Sequence, residues 1–242
     1  MTTPVVLAID GPAGAGKSTV AERLARELGY FYFDTGVLYR AVAVSGLDQD
    51  VDLADESALK GLVETIDIQV RPPSVDDGRQ IDVYVDGRDV SHAIRTPGVD
   101  AVVSKVAASP AVRAGLIDLQ RRQIQGTGTI MAGRDIGTIV CPDADLKIFL
   151  TASSGERARR RLVQVGGSPD QLPTIQDAID ERDRLDSSRA IAPLTRAEDA
   201  IDVDTDGMSV DDVVQTVRSL LAQRLVGRKH HPTSANHTGP GA

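Results

Sequence analysis

A glycine-rich segment near the start of the sequence has the pattern of a phosphate-binding loop, GxxxxGK[ST]. In such a loop the glycines let the backbone curl until its N–H groups point at phosphate oxygens. Lys17 could then reach the outer phosphates, and the hydroxyl of Ser18 could bind Mg²⁺. A glycine-rich turn without chemistry is the alternative, but an apolar strand before the loop and a helix after it favour a nucleoside triphosphate site. The residues expected to bind the triphosphate are Gly11, Pro12, Ala13, Gly14, Ala15, Gly16, Lys17, Ser18 and Thr19.

Arginines recur at places where a second phosphate could bind. The sequence has 22 arginines and 5 lysines, which codon usage or a need for bidentate phosphate contacts could explain. Arg40 follows the second predicted strand, and Arg134 ends a later apolar strand. Arg182, Asp186 and Arg189 lie within about 60° of one another on one predicted helix. Apolar neighbours on that helix favour a cleft wall over a solvent-exposed salt bridge between residues 182 and 186.

A further arginine cluster predicts a lid over the triphosphate. Four arginines lie between residues 157 and 161, just before a loop that contains glycines. On a mobile element they could close over the phosphates and supply charge in the transition state, although a solvent-exposed basic face is the alternative. The lid is expected at about residues 157–172. The expected catalytic residues are Lys17, Arg134, Arg157, Arg161 and Arg182.

The elements around these residues alternate as in an α/β fold. Strands are predicted at residues 5–10, 30–34, 128–133, 145–151 and 200–203. Helices are predicted at about 17–28, 36–44, 97–108, 110–124, 154–165 and 174–189, and after Ser209. Residues 66–96 instead alternate apolar and polar side chains, with turn signals at Asp77-Gly78 and Asp86-Gly87. We therefore predict a core of residues 1–65 and 97–226 and an antiparallel insert at 66–96.

Composition narrows the class of protein further. With 242 residues, 41% hydrophobic and 26% charged, the chain has the profile of a globular protein, and its net charge of −8 disfavours nucleic-acid binding. No apolar run approaches the ~20 residues of a membrane span, and the segment before Asp10 does not resemble a signal peptide. Because Cys141 is the only cysteine, we expect no disulfide and no cysteine-based metal site. We expect a cytoplasmic monomer whose residues 227–242 are disordered.

Among proteins with a phosphate-binding loop, these features favour a small kinase. The Asn-Lys-x-Asp element that reads guanine is absent from the sequence, and motor or multi-subunit ATPases are usually larger. A kinase must hold two anionic substrates together and exclude water, and arginine clusters suit both tasks. Two alternatives remain: a kinase for another small acceptor, and a nucleotide-binding regulatory module without useful turnover.

Five segments together resemble the bacterial cytidylate kinase family. They read GPAGAGKST, FDTGVLYRA, SKVAASPAVR, AGRDIGTIV and ERDRLDSSRAIAPL, and the resemblance covers about residues 4–225. It implies phosphoryl transfer from ATP to CMP or dCMP with Mg²⁺. It also implies a P-loop core with a five-stranded parallel sheet flanked by helices, an antiparallel acceptor-binding insert and a short lid. By the same resemblance, the acceptor phosphate would be bound by Arg40, Arg134, Arg182 and Arg189. The rest of the acceptor would be bound by Asp186 at the sugar, by Ser104, Arg113 and Asp135 at the cytosine, and by Asp34 and Thr35.

The base contacts implied by this resemblance are chemically reasonable. Cytosine carries an amino donor at N4 and acceptors at N3 and O2. The carboxylate of Asp135 could accept from N4, while Arg113 and Ser104 could donate to the acceptors. Uracil has a carbonyl in place of the amino group, and its contact with a carboxylate would cost about 1–3 kcal/mol. The residues therefore favour cytosine over uracil.

Overall fold

The computed structural model describes residues 4–77, 79–124 and 126–229. The strands are β1 (Val5–Asp10), β2 (Phe31–Asp34), β3 (Ile68–Arg71), β4 (Asp82–Val85), β5 (Arg88–Asp89), β6 (Gly128–Ala132), β7 (Leu146–Thr151) and β8 (Ile201–Asp204). The helices are α1 (Lys17–Leu28), α2 (Gly36–Asp48), α3 (Glu56–Thr65), α4 (Pro97–Ala108), α5 (Pro110–Arg121), α6 (Ser154–Gln164), α7 (Leu172–Ser187) and α8 (Val210–Lys229). Short 3₁₀ turns occur at Ala93–Arg95 and Pro169–Gln171, and a π-helical turn occurs at Ile136–Val140. None of the helices in these described ranges is long and apolar enough to cross a membrane.

Strand β1 lies at the centre of the parallel sheet, whose strand order in the described chain is β2-β6-β1-β7-β8. Its partners are β6 and β7, so that Leu7 lies opposite Ile130 on one side and Leu146 on the other. Leu7 and Ile9 pack into one apolar core with α1 and α8, and Ala8 packs into a second core with α2, α4 and α5. Because helices cover both faces, β1 is apolar without alternation.

The predicted fold class is confirmed. The described chain has the five-stranded parallel sheet flanked by helices, and strands β3, β4 and β5 form a separate antiparallel sheet. The turn predicted at Asp86-Gly87 joins β4 to β5, and both residues have positive φ angles, of 50° and 79°. A hairpin turn with two positive φ angles matches the right-handed twist of its strands, which explains the preference for Asp-Gly. The other predicted turn includes Gly78, which lies outside the described residues.

The structure differs from the predicted elements at several places: for example, α2 extends to Asp48 instead of about 44, and α5 ends at Arg121 instead of about 124. Helix α3 was not predicted, although the Asp55 side chain caps it by accepting from the Ser57 N–H at 2.8 Å. Only two of its residues are buried, so its apolar stripe is weak. Helix α7 ends at Ser187 rather than near residue 189. Helix α8 continues to Lys229, past the boundary predicted at Gly227, because one glycine costs a helix only about 1 kcal/mol. Disorder of residues 230–242 stays a prediction, since they lie outside the described residues.

Asp10, the last residue of β1, fixes the turn that follows β6. Its carboxylate accepts hydrogen bonds from the backbone N–H groups of Ile136 at 2.9 Å and Gly137 at 2.7 Å. These two residues come directly after Arg134 and Asp135, so Asp10 ties two predicted site residues to the start of the phosphate loop. Burial raises the pKa of the Asp10 carboxyl to about 6, in spite of the hydrogen bonds it accepts.

We expect Asp10 to make the fold less stable as the pH rises from about 4 to about 6. Its pKa is about 3.9 in an unfolded chain and about 6 in the folded chain. The folded state therefore binds more protons in this window, and stability falls as they are lost. The free energy of unfolding can be measured with urea at about pH 4 and at about pH 7. Between these two pH values it should fall by about 2–3 kcal/mol more in the original chain than in an Asp10→Asn variant. Parallel pH dependence of the two proteins would contradict the expectation.

Candidate active site

A cavity of about 1000 Å³ lies at the carboxyl ends of the parallel strands. This edge is where open α/β sheets bind their ligands, because the loops that follow the strands meet there. Predicted site residues that line the cavity are Ala13, Gly14, Ala15, Gly16, Lys17, Ser18, Thr19, Asp34, Thr35, Arg40, Ser104, Arg113, Arg134, Asp135, Arg161, Arg182, Asp186 and Arg189. Three other predicted site residues, Gly11, Pro12 and Arg157, do not line it.

The phosphate loop has the curled backbone that the sequence pattern predicts. Gly11, Gly14 and Gly16 have φ angles of 147°, 77° and 89°. At Gly11 the reason is also steric, because a Cβ atom there would lie 2.1 Å from the carbonyl oxygen of Leu150. Gly16 precedes the first turn of α1, whose free N–H groups and helix dipole favour an anion. The loop can therefore cradle phosphate oxygens.

Lys17 is buried at the base of this loop without a carboxylate partner in the described chain. Its ammonium group donates to the backbone oxygen of Pro12 at 2.6 Å, and only 7% of the residue is exposed. Burial, and next the positive charge of Arg134, lower the pKa of Lys17 well below its usual value. A bound phosphate would favour the charged form and reverse this shift.

Asp186 holds two of the predicted phosphate-binding arginines. It is buried, accepts from Nε of Arg134 at 2.8 Å and forms an ion pair with Arg189. Burial raises the pKa of this carboxyl, but the charges of Arg134 and Arg189 hold it below its usual value. The alternative ion pair between residues 182 and 186 is not formed.

The side chain of Arg182 makes no hydrogen bond or ion pair in the described part of the chain, and its buried Nε atom lacks a partner. Burial, and next the charge of Arg134, lower the pKa of Arg182. Arg134 and Arg189 therefore share the one carboxylate of Asp186, while Arg182 has none. An anion in the cavity would balance this excess of positive charge.

Arg189 contacts Asp186 in a way that helical spacing did not predict. It lies two residues beyond the end of α7, not on the helix face shared by Arg182 and Asp186. The chain turns back after the helix, and the Leu194 N–H donates to the backbone oxygen of Asp186 at 2.9 Å. The turn brings the Arg189 guanidinium onto the carboxylate three residues earlier. The grouping is thus as predicted, while the predicted reason for it is wrong.

Arg113 and Asp135 form a buried ion pair at another part of the cavity. The guanidinium also donates to the Ala107 backbone oxygen at 2.9 Å and lies 5.3 Å from the ring centre of Tyr39. The pair uses Oδ2 of Asp135, and no donor among the described residues contacts Oδ1. This oxygen can accept from a ligand. Ser104 lines the same cavity from α4.

Tyr39 was missed as a site residue, although it lies in one of the five segments noted above, directly before Arg40. Its hydroxyl accepts from the Gln120 amide at 3.2 Å, which positions the ring beneath the Arg113 guanidinium. No local pattern singles out Gln120, because it contacts Tyr39 only through tertiary packing. Arg40 itself donates to the Asp100 carboxylate at 2.6 Å and to the Ile94 backbone oxygen at 2.8 Å.

The four arginines of the predicted lid separate into different environments. Arg161 is exposed, lines the cavity and donates to Gln164 at 3.0 Å. Arg160 also lines the cavity but donates to Glu156 and Thr205. Arg159 is exposed and pairs with Glu156. Arg157 is buried away from the cavity. The arginines therefore do not form one basic face, and only Arg160 and Arg161 can meet a ligand.

Ser18 and Asp34 provide oxygen atoms suited to Mg²⁺. The Ser18 hydroxyl donates to Oδ2 of Asp34 at 3.4 Å, and Oδ1 of Asp34 accepts from the Gly36 N–H at 2.9 Å. A hydroxyl and a carboxylate are hard donors of the kind that Mg²⁺ prefers alongside phosphate oxygens. The residues therefore fit the ion. Neighbouring Thr35 donates to the Ala132 backbone oxygen at 3.1 Å, which fixes the start of α2 at the sheet edge.

Comparison with known proteins agrees with this arrangement. The family model described as cytidylate kinase matches residues 7–223. A cytidylate kinase of Pelotomaculum thermopropionicum is 49% identical over 226 residues, which are 92% of this chain and 97% of that protein. A bifunctional pantoate ligase/cytidylate kinase of Synechococcus elongatus is 49% identical over 225 residues, which are 92% of this chain. The chain spans only 43% of the length of that bifunctional relative.

A solved structure also shares the fold. It is an uncharacterized protein from Eubacterium ventriosum, with a TM-score of 0.50 and 11% identity over 90% of this chain and 98% of that one. The family itself rests on the sequence comparisons, which extend from β1 to α8 and include every segment that lines the cavity. The chain belongs to the cytidylate kinase family.

Proposed function

We propose that the chain transfers the γ-phosphoryl group of ATP to CMP or dCMP, giving ADP and CDP or dCDP. The observation that carries the proposal is one cavity with two different polar regions. The phosphate loop with Lys17 forms one region, and the buried Arg113–Asp135 pair forms the other. Arg134 and Arg182 are close enough to Lys17 to lower its pKa, and Arg189 is in turn close to Arg113. Cationic side chains thus connect a triphosphate site to a base-reading site.

Positioning and electrostatics account for the chemistry. Phosphoryl transfer has little covalent chemistry for the protein to perform, so its main needs are alignment and charge stabilisation. Lys17 binds the outer phosphates of ATP, and Arg134 and Arg182 stabilise the charge on the transferred group. Mg²⁺, held by Ser18 with Asp34 beside it, would supply further neutralisation of phosphate charge. The apolar walls and the exposed Arg161 help to exclude water.

The acceptor would lie with its phosphate among the arginines and its base against Asp135. Asp186 already accepts from two arginines, and we propose that it also accepts from the sugar. Oδ1 of Asp135 accepts from the cytosine amino group. A carboxylate that is paired with Arg113 offers acceptors only, so it does not suit a carbonyl group at that position.

An assay of acceptor-dependent ADP release separates this function from its alternatives. We expect release with CMP and dCMP, and much less with AMP and GMP. Preference for another acceptor would point to a different kinase, and the absence of release with all acceptors would favour a regulatory nucleotide-binding module. A cytoplasmic location and a monomeric state stay predictions.

Arg182→Met should lower activity without lowering stability. The variant removes a half-buried cation that lies near Arg134 and whose side chain has no partner in the described chain. We expect kcat/KM for CMP to fall about 10²- to 10³-fold, with an unfolding temperature that is unchanged or higher. In the matched control, Arg134→Met should lower both quantities, because it leaves buried Asp186 with one partner fewer. Normal activity of the Arg182 variant would remove Arg182 from the mechanism.

Asp135→Asn should change the preference between CMP and UMP. The amide keeps the size of the carboxyl but turns one acceptor into a donor. Loss of a charge-assisted hydrogen bond of about 1.5–3 kcal/mol should lower kcat/KM for CMP about 10- to 150-fold. Activity with UMP should fall less, or rise, because the new donor can face its carbonyl group.

The ratio of the two substrates is the decisive measurement in this experiment. The substitution also leaves buried Arg113 without its ionised partner, which would harm both substrates alike. Arg134→Lys is the control, because both acceptors carry the same phosphate and should lose activity equally. An unchanged CMP to UMP ratio in the Asp135 variant would show that Asp135 does not read the base.

A further inference from the structure

Two side chains from outside the cavity hold the backbone of the phosphate loop at Ala13. Oδ1 of Asp183, on α7, accepts from the Ala13 N–H at 3.0 Å. Nη1 of Arg157, on α6, donates to the Ala13 carbonyl oxygen at 2.9 Å. The same guanidinium forms an ion pair with Asp183. Both polar backbone atoms of Ala13 are therefore bound by one ion pair.

Nε and Nη1 of the Arg157 guanidinium make these contacts, while Nη2 lies 3.9 Å from the Asp180 carboxylate. The Nε atom donates to the Ala152 backbone oxygen at 3.0 Å, and Nη1 serves both Ala13 and Asp183. The side chain is 8% exposed and does not line the cavity. Helix α6 also packs directly on the loop here, since a Cβ atom at Gly14 would lie 3.1 Å from Cβ of Arg157. Arg157 is thus unable to reach the phosphates without breaking several hydrogen bonds.

The opposite charges of Arg157 and Asp183 explain why both residues are needed at the loop. Asp183 gives the loop a well-placed acceptor for a backbone N–H, but it also brings a negative charge next to a site that must bind a triphosphate. An unpaired carboxylate there would repel the phosphates and would be costly in a half-buried position. The positive charge of Arg157 cancels this effect while adding its own bond to the Ala13 oxygen.

We propose that Arg157 and Asp183 are positioning residues that clamp the phosphate loop, and that Arg157 acts on ATP through Asp183 and not by touching the phosphates. This proposal rests on the proposed function in that ATP is the ligand of the loop. It replaces the catalytic lid role predicted for Arg157. It also makes Asp183 a functional residue that differs from its neighbour Arg182, which lines the cavity.

A double-substitution cycle tests this dependence. Arg157→Met leaves Asp183 unpaired, so the Kd for ATP measured by calorimetry, and the KM for ATP, should rise about 10- to 100-fold. The kcat should change less than about threefold, because no group on the transferred phosphoryl is lost. Asp183→Asn keeps an oxygen for the Ala13 N–H but leaves Arg157 without this ionised partner, so it should weaken ATP binding by less than Arg157→Met does. The double variant should bind ATP within a few-fold of Asp183→Asn alone.

Arg161→Met serves as the matched control, because Arg161 lies on the same helix but faces the cavity. Its effect should be the same with and without Asp183→Asn. If Arg157 touches the phosphates, Arg157→Met should lower kcat about 10³-fold in either background, which would overturn the proposal. Equal loss of ATP affinity in the single and double variants would also overturn it.

Two features keep this experiment decisive. If Arg157→Met alone fails to fold, the double variant can still be compared with Asp183→Asn, because removing Arg157 from that variant leaves no unpaired carboxylate at position 183. Because calorimetry with ATP needs no acceptor, the clamp can be confirmed even if CMP is not phosphorylated. Conversely, normal CMP phosphorylation with no rescue in the double variant would contradict the clamp and leave the proposed function intact.

Discussion

Positive charges crowd the cavity, and the fold holds them there without a carboxylate for each one. Lys17, Arg134, Arg182 and Arg189 are all buried or half-buried, while Asp186 is the carboxylate that pairs with two of them. Burial lowers the pKa of Lys17 and of Arg182, and the charge of Arg134 lowers both further. Such an arrangement is unfavourable by itself and becomes favourable when phosphates enter. Binding of phosphate groups would thus supply the negative charge that this part of the cavity lacks.

Carboxylates outside the cavity hold the backbone segments that carry these cationic side chains. Asp10 binds the backbone just after Arg134 and Asp135, and Asp183 binds the backbone of the phosphate loop. Each acts on backbone N–H groups, which are strong donors that must be satisfied when they are buried. Because these carboxylates do not line the cavity, they order its backbone without forming ion pairs with the cations that do.

The region that we propose to read the base has a different balance of charge. There the charges of Arg113 and Asp135 are matched, and Tyr39 and Gln120 support the arginine from below. A matched, hydrogen-bonded pair keeps a fixed pattern of donors and acceptors, which suits discrimination between bases. In the proposed function, the excess of positive charge serves phosphoryl transfer and the matched charges serve selection of the base.

Local sequence patterns determined the parts of this protein that depend on consecutive residues. The phosphate loop, the apolar strand before it and the helix after it could be predicted because their geometry depends on neighbouring backbone torsions. The alternation in residues 66–96 and the Asp86-Gly87 turn predicted the antiparallel sheet for the same reason. Helix α3 escaped prediction because only two of its residues face the core.

Only the tertiary structure decided which charged groups meet. Arg134 and Asp186 are 52 residues apart in sequence, and Arg157 and Ala13 are 144 apart. Helical spacing placed Arg157 in a lid cluster with its neighbours, but packing of α6 against the phosphate loop turned it away from the cavity. Spacing likewise grouped Arg189 correctly for the wrong reason, since a turn beyond α7 brings it to Asp186. A side chain's type shows what it can bind, but its partner depends on how distant segments pack, and that information is absent from any local pattern.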